Sequence, residues 1–568
     1  MAAAPTNTQV AESLELLADL SEILGEQGFR VLAYRRAATR VRDTAGSVVE
    51  LALAGKAKEL PGIGKTIEEK IVELAGTGEL RALEKRRAEV PEEVASFLRL
   101  PGLGPKTAAR IWRELGVTTL TGLKEAAEQQ RVRGLQGLGA KSEERILEAL
   151  AKGLGEAPER RGLLGHGLPI VRSVVEALRA HPAAVDVSEA GSARRRRETF
   201  RDLDVIATST DPPALIEHFV TLPDVLQVAA RGDTKATIVT QQGHRLDLRV
   251  VPPESYGDLL QHFTGSKEHN VALREDAVRR GFSISEYGVT VIETGEVRTF
   301  RDEAELYGFL GYAFIPPELR ENGGELAAAR NGTLPALVEE RDLVGELHCH
   351  STWSSDGKGT IEEMARAAQA RGYDYLALTD HSHYLREGRM ELQWAELEAV
   401  NARVAPFRVL RGVEANIRAD GSIDVDDELL SALDWVVASL HAAFDRNPTE
   451  RILAAIEHPH VDCIGHLTGR KLSRRFGSQV DVEKIVARAA ETGTALEVNS
   501  QPDRLDLRDV HARLAGDAGV RIPVTTDAHS VAALGYAELG IAQARRAWLT
   551  KEQILNTRSW DEIERTGA

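Results

Sequence analysis

The sequence contains no uncharged apolar run approaching the ~20 residues that a membrane-spanning helix needs. Its first apolar segment is interrupted by Glu12, Glu15 and Asp19 and has no basic leader, so a secretory signal is not expected. Only 2 cysteines occur in 568 residues, which excludes a disulfide framework and suits a reducing cytoplasm. A net basic charge is missing too. Against 71 Lys and Arg stand 87 Asp and Glu, a formal charge of −16 that by itself argues against a nucleic-acid partner. What remains is an ordinary globular composition, 42% hydrophobic and 28% charged, in a chain long enough for several cores.

The charge is unevenly spread. Residues 1–160 hold 24 basic and 24 acidic side chains, residues 161–330 hold 20 and 25, and residues 331–568 hold 27 and 38. Most of the acidity therefore lies in the C-terminal part, where carboxylates that bind metal would explain some of it. Gly-rich punctuation from Lys152 to Gly167 and from Pro316 to Pro335 marks two boundaries. Before the first, residues 12–24 place Leu14, Leu17 and Ala18 on one helical face. Between the two, LDVIATS and RLDLRVV alternate as strands do. After residue 343, YLALTD, RVLRGVEA, DWVVASLH, CIGHL, ALEVNS and PVTTDAH alternate with helical stretches, which predicts an α/β barrel or layered sheet.

An internal repeat occupies the first 150 residues. Gly62-Ile63-Gly64-Lys65, Gly102-Leu103-Gly104-Pro105-Lys106 and Gly137-Leu138-Gly139-Ala140-Lys141 each follow a leucine two residues back and open a predicted helix. Glycines admit another backbone closely, and the amides of a helix N-terminus then face phosphate. One such turn is a connector; three alike resemble helix-hairpin-helix motifs, which grip the DNA backbone without reading sequence. Such binding needs local amides and a few lysines, so a neutral region does not exclude it.

In the middle segment, Asp202 and Asp204 at i and i+2 share one face of a strand, with Leu203 and Val205 on the other. Asp247 offers a third carboxylate on a later alternating strand. Three converging acids repel one another unless divalent cations neutralise them, and two such ions suit in-line attack at phosphorus. Gly191-Ser192 and the arginines 194–197, followed by Asp-x-Asp, resemble the nucleotidyltransferase palm of family X DNA polymerases, related to DNA polymerase beta. His262-Phe263-Thr264-Gly265-Ser266 is similar to that family's Tyr-Phe-Thr-Gly-Ser segment, and Ala33-Tyr34-Arg35-Arg36-Ala37-Ala38 to its N-terminal lyase domain. The resemblance covers residues 8–320. It implies that Asp202 and Asp204 bind two Mg²⁺ or Mn²⁺ ions and that Asp247 helps activate the primer 3′-hydroxyl. It further implies that Gly191, Ser192 and Arg195 hold the triphosphate, Phe263 and Gly265 line the sugar, Asn270 meets the base edge and Arg274 the template strand. Lys70 aligns with the family's Schiff-base lysine, implying lyase chemistry. The chain departs from the family at His262 for Tyr and at Arg196 and Arg201, each for Gly.

The C-terminal part places His348 and His350 on one strand face, followed by Asp356, His381, Glu414, His441, His466, Asp527 and His529, each at or just after an apolar strand. In an α/β barrel the C-terminal strand ends share one mouth. Mixed imidazole and carboxylate donors suit Mn²⁺, Zn²⁺ or Fe²⁺. The pattern resembles the PHP (polymerase and histidinol phosphatase) domain, whose nine ligand positions those residues fill. The resemblance implies a distorted (β/α)7 barrel with three metal ions that hydrolyses phosphate esters. Arg418 and Lys471 are candidate phosphate contacts; Asp380 and His383 are expected to support the ligand strand, and Cys349 and Cys463 to be core residues.

The expected chain is thus multidomain: a lyase-like helix-hairpin-helix domain at 1–90, a second helix-hairpin-helix domain at 91–155, an α+β palm at 156–255, a nucleotide-selecting thumb at 256–320, a linker at 321–340 and the barrel at 341–568. The expected activity is short-gap DNA repair synthesis from dNTPs on gapped or nicked DNA, with a 3′–5′ exonuclease that extends to 3′-end processing and abasic-site cleavage. A cytoplasmic, nucleoid-associated monomer with no membrane partner is expected. Two alternatives stand beside this reading: a DNA-binding repair scaffold with an inactive polymerase half and an active nuclease, and a small-molecule phosphatase of the histidinol phosphatase type.

Overall fold

The computed structural model describes residues 5–26, 28–42, 44, 47–60, 62–100, 103–151, 161–472 and 477–565. Gly102 and most of the 152–167 punctuation lie outside the described residues. The chain groups by contacts into two units. The first comprises residues 1–194, 199–309 and 473–476, and the second residues 195–198, 310–472 and 477–568. Among the described residues, no helix is long and apolar enough to cross a membrane.

The first unit opens with helices. Asn7–Ile23 starts at a capping box formed by Thr6 and Gln9 and buries Leu14, Leu17, Ala18 and Ile23, the face that the apolar spacing predicts. Helices Lys65–Thr77, Pro105–Leu115 and Ala140–Ala151 follow the three glycine turns. A five-stranded sheet comes next, ordered Ala184–Ala190, Asp202–Ser209, Arg245–Val251, Lys235–Thr240, Val225–Arg231. Only the pair of Asp202–Ser209 with Arg245–Val251 is parallel. Leu203, Val205, Leu246 and Leu248 are fully buried, so the alternate residues Asp202, Asp204 and Asp247 share the opposite face. Helices Tyr256–Thr264, Lys267–Arg279 and Glu303–Phe309, with a small antiparallel sheet over 282–298, complete this unit.

In the second unit every predicted strand forms. Gly345–Cys349, Tyr375–Leu378, Arg408–Asn416, Trp435–Ser439, Cys463–Ile464 and Ala495–Leu496 make a parallel sheet in sequence order. The last strand continues as Val498–Asn499, which pairs in parallel with Val524–Thr525. A parallel bridge between Cys349 and Ala528 returns the last strand to the first. Helices between the strands bury Met364, Leu397, Ile452 and Ile485. Tyr375, Ala377, Leu410, Trp435, Val437, Cys463 and Ala495 pack with Leu555, Trp560 and Ile563 into a separate apolar cluster. Further along the same strand faces stand Ser439 and Glu497, two residues beyond Val437 and Ala495, and Glu414, four beyond Leu410, so strand alternation lifts a polar site above an apolar plug.

Candidate functional sites

The hairpins position amides. Gly64 and Gly104 are the N-caps of their helices, with extended backbone and no side-chain cap, and the space a Cβ would take at Gly64, Gly104 or Gly139 is empty within 4 Å. The helix N-terminal N–H groups thus face outward without an internal acceptor side chain, as phosphate binding requires. Gly62 and Gly137 turn at φ 91° and 84°. Lys70, half-buried, sits with its Nζ 6.0 Å from the centre of the Tyr34 ring.

In the sheet, Asp204 stands directly beside Asp247 in register, and Asp202 beside Arg245. Asp247 accepts from the Thr237 hydroxyl and lies 3.4 Å from Arg245 Nε. Gly191, at φ 62°, closes on this face: a Cβ there would lie 2.2 Å from Asp204 Oδ2. Ser192 follows Gly191 in the short helix Gly191–Arg194. In the same unit Arg194 forks onto Glu303 (3.0 and 2.6 Å) and the Thr264 hydroxyl (2.6 Å). Gly265 ends its helix at φ 68°, ψ −148°, a conformation open essentially to glycine alone. Phe263 lies 4.4 Å from the Arg249 guanidinium. Asn270 donates to His262 O (2.8 Å) and accepts from Gln261, and Arg274 meets His262 Nδ1 at 2.9 Å. Burial, with the neighbouring Arg274 and Arg249, outweighs Glu286 and pushes the His262 pKa down.

Arg195 belongs to the second unit, where its Nε meets Glu321 Oε1 at 3.0 Å. Arg196 there adopts φ 57°, the left-handed backbone natural to the glycine it replaces. Arg201, in the first unit, is exposed.

The barrel gathers the nine histidine and carboxylate positions. Glu414 is the hub: its oxygens lie 2.7 Å from His381 Nδ1, 3.0 Å from His441 Nε2, 3.0 Å from His466 Nε2, 3.6 Å from His348 Nε2 and 3.7 Å from His350 Nε2. Asp527 Oδ1 lies 3.2 Å from His350 Nε2, and Asp356 Oδ2 lies 3.6 and 3.5 Å from His381 and His529 Nε2. Depth is graded. The His348, His350, Glu414, His466 and Asp527 side chains are at most 5% exposed, whereas His441 and His529 are 29% and Asp356 45% exposed, marking the mouth. His466 and Asp527 occupy positive φ, 25° and 49°, backbone strain that is typical of functional positions. Gly357 lets the Asp356 loop fold over, since a Cβ would fall 1.9 Å from Ser351 O.

Electrostatics fit a cation site. Although burial opposes it, the histidines around Glu414 and Asp527 hold both carboxyls well below the usual range. Burial, the His529 charge and His381 push the His350 pKa down to about 3. Burial lowers His381, but Glu414 and Asp356 raise it to about 10. The buried His348 Nε2, His350 Nε2 and Glu414 Oε2 have titratable neighbours at 2.7–3.7 Å but no well-directed hydrogen bond, and His466 Nδ1 has none either. Orphaned donor atoms of this kind are costly without a ligand, and soft–hard mixed sets of them suit a transition-metal ion. Among the described residues, three overlapping groups set their donor atoms within 4.8 Å of one another: His350, His381, His529; His348, His350, Glu414; and His381, Glu414, His441.

A supporting shell surrounds these groups. Asp380 accepts from Ser351, Ser354 and Gln393 and so fixes the loop after His350. Asn416 Oδ1 meets His441 Nδ1 at 2.7 Å, held in turn by Asp424. Glu497, absent from the sequence-based set, meets His348 Nδ1 at 2.6 Å and accepts from His466 N, Asn499 and Thr525. Its signal in ALEVNS is an acid between apolar strand residues, which a buried strand tolerates only with partners. Lys471 is committed to Asp503 (2.8 and 2.9 Å), Arg418 is exposed, and His383 is exposed beside Tyr384. Cys349 and Cys463 are buried, and burial pushes both thiols well up.

Comparison with known proteins agrees with this anatomy. Residues 5–80 match the helix-hairpin-helix domain family, 94–152 the SAM-like helix-hairpin-helix tandem, 259–321 the DNA polymerase beta thumb and 346–501 the PHP domain. The chain is 41% identical over 562 residues to the DNA polymerase/3′–5′ exonuclease PolX of Bacillus subtilis (strain 168), covering 97% of each protein. It is 31% identical over 229 residues to a protein named "Probable phosphatase" from Thermoanaerobacter sp. (strain X514), 38% of this chain and 91% of that one. A protein of the same designation from Caldanaerobacter subterraneus is 31% identical over 236 residues, 39% of this chain and 90% of that one. The chain belongs to the bacterial family X DNA polymerases that carry a C-terminal PHP domain.

Proposed function

We propose that this protein fills short gaps in DNA by template-directed addition of dNTPs at the palm and removes nucleotides 3′ to 5′ in the barrel. One observation carries the reading: nine ligand-type side chains converge at a barrel mouth in a chain similar along 97% of its length to a relative named for both activities. The sequence-based domain boundaries separate the parts, and gapped or nicked DNA is the substrate of a cytoplasmic, nucleoid-associated monomer. Processing of 3′ ends and cleavage at abasic sites are further tasks of the barrel. Lys70 is the candidate nucleophile for lyase chemistry.

In this reading Asp202, Asp204 and Asp247 would hold two Mg²⁺ or Mn²⁺ ions, and His348, His350, Asp356, His381, Glu414, His441, His466, Asp527 and His529 would hold three ions of the Mn²⁺, Zn²⁺ or Fe²⁺ class. Such ions, when bound, activate a water or hydroxyl and neutralise phosphoryl oxygens. The chain's own residues do the positioning. Asp204 and Asp247 stand side by side at the palm, where the missing Cβ of Gly191 lets its backbone close on the Asp204 carboxylate. Gly191, Ser192 and Arg195 would hold that triphosphate, Gly265 and Phe263 would line the sugar, and Asn270 and Arg274 would be released from His262 to meet base and template. At the barrel, the exposed rim of Asp356, His441 and His529 is where a DNA end enters. There water adds to the terminal phosphorus, the P–O3′ bond breaks, a nucleoside 5′-monophosphate leaves, and the proton balance leaves a 3′-hydroxyl.

Paired double variants test the division. Asp202→Ala with Asp204→Ala should abolish primer extension on a one-nucleotide gap and keep exonuclease activity, and His348→Ala with His350→Ala should do the reverse. Retention of the assigned activity in either variant sinks that assignment. Turnover of histidinol phosphate against a 3′-recessed duplex decides the phosphatase reading that the similarity of the barrel to named phosphatases raises.

A further inference from the structure

The loop that follows strand Val498–Asn499 carries an arginine with no assigned task. We infer that Arg504 is the residue that grips the scissile phosphate at the barrel mouth. The inference rests on the nuclease reading given above.

The loop is built into the site's own framework. Gln501 Nε2 donates to the carbonyls of Thr526 (3.0 Å) and Asp527 (2.6 Å). Asn499 N donates to Asp506 O (2.7 Å), Leu507 N to Glu497 O (3.0 Å) and Arg504 N to Gln501 O (2.8 Å). The Arg504 backbone is thereby fixed against the segments that bear Glu497 and Asp527. Its side chain is only 15% exposed, and Nε lies 3.7 Å from Asp527 Oδ2, too far for a hydrogen bond. The buried Nε has no partner, and among the described residues the side chain makes no hydrogen bond at all.

A guanidinium held in place with its buried Nε–H uncommitted is costly, because a buried donor without an acceptor has given up its water for nothing. Positions of this kind are kept where a ligand supplies the acceptors. The neighbouring cation does not compete for the task, since Lys471 already meets both oxygens of Asp503. Asp527 turns Oδ1 toward His350 and leaves Oδ2 toward Arg504 and Asn499 (3.1 Å), so Arg504 flanks the ligand cluster without entering it. The planar fork of Arg matches two non-bridging phosphate oxygens, whose charge grows as water adds to phosphorus. A point-charge Lys would match them less well.

The test uses the full chain with Mn²⁺, comparing wild type, Arg504→Ala and Arg504→Lys. The probes are a 3′-recessed duplex, the minimal diester thymidine 5′-monophosphate p-nitrophenyl ester, and calorimetric binding of the product dTMP. Arg504→Ala should lower kcat/KM at least 30-fold for both diesters and weaken dTMP binding at least 10-fold. The Mn²⁺ concentration for half-activation and the unfolding midpoint should stay within threefold and about 2 °C of wild type, and Arg504→Lys should recover part of the loss. Loss on the duplex alone would make Arg504 a DNA-surface contact and overturn the inference. So would a change below threefold in kcat/KM or in dTMP binding, or a shift in the Mn²⁺ requirement large enough to account for the loss. If the minimal diester turns over too slowly to follow, dTMP binding decides. Hydrolysis that survives His348→Ala with His350→Ala would instead refute the nuclease reading itself, whatever Arg504 does.

Discussion

Glu497→Gln should weaken metal binding by the barrel about 10–100-fold, or roughly 1.4–2.8 kcal/mol. The carboxylate is buried and receives four donors: His348 Nδ1 and the Thr525 hydroxyl on Oε1, and His466 N and Asn499 Nδ2 on Oε2. A glutamine amide is half donor, so wherever its NH₂ points it meets groups that also donate. Turned toward His348, it forces that ring to accept at Nδ1 and carry its proton at Nε2, the atom that points at Glu414 and Asp527. Turned toward His466, it faces a backbone N–H that cannot change role, and the orphaned pair costs about 1–3 kcal/mol. Both orientations penalise the arrangement that offers lone pairs to a cation. The measurement is calorimetric titration of the metal-stripped full-length chain with MnCl₂, paired with exonuclease rates over the same range. Much of the lost rate should return at saturating Mn²⁺. A dissociation constant within threefold of wild type would refute the idea that Glu497 sets the tautomer and orientation of His348.

Asp258 supplies a pH test in the first unit. Its carboxylate is 1% exposed, accepts from Phe300 N at 2.7 Å and leaves Oδ1 without a partner, and burial raises its pKa from 3.8 to about 7 despite that bond. The folded state therefore holds a proton that the unfolded chain has released between pH 4 and 7, so the group costs stability as pH rises through that window; Asp258→Asn should flatten the fall in Tm between pH 5 and 8, and an unchanged slope would count against it. Gly64→Asp should separate helix stability from DNA binding. An aspartate N-cap stabilises helix Lys65–Thr77 by a few tenths of a kcal/mol but sets an anion where phosphate would sit, so duplex affinity should fall while Tm holds or rises; equal or tighter binding by fluorescence anisotropy would exclude that hairpin from the interface.

The candidate metal ligands were legible because their chemistry is rare and their positions repeat: His or acid at the end of one apolar strand after another. The alternation around Asp202 was legible as well, since Leu203 and Val205 had to be buried and the two acids could not be. Glu497 was not. In the one-dimensional pattern it looks like any alternating polar residue of a half-exposed strand, and its partners come from His348, 149 residues away, and Thr525, 28 away. Arg504 was hidden for a related reason, since a loop arginine gains meaning only from the acceptors it lacks. Arg195 shows a third limit. Its neighbour Arg194 pairs with Glu303 in the first unit, while Arg195 pairs with Glu321 in the second, a division between adjacent residues that no local spacing encodes.

The charge of −16 illustrates why a sum misleads where its parts do different work. In residues 331–568, which carry an excess of 11 acids, Glu346, Asp380, Glu414, Glu497 and Asp527 are all buried and directed at the histidine cluster or at the backbone that carries it. They contribute little to the field that DNA meets, and divalent ions held by the close-set donor groups would offset part of that excess. The glycine hairpins lie in a stretch with equal numbers of acids and bases, and what they present to phosphate is backbone amide at helix ends rather than net charge. A binder of this type gains few released counterions per contact, so its grip on duplex is expected to be modest and independent of base sequence.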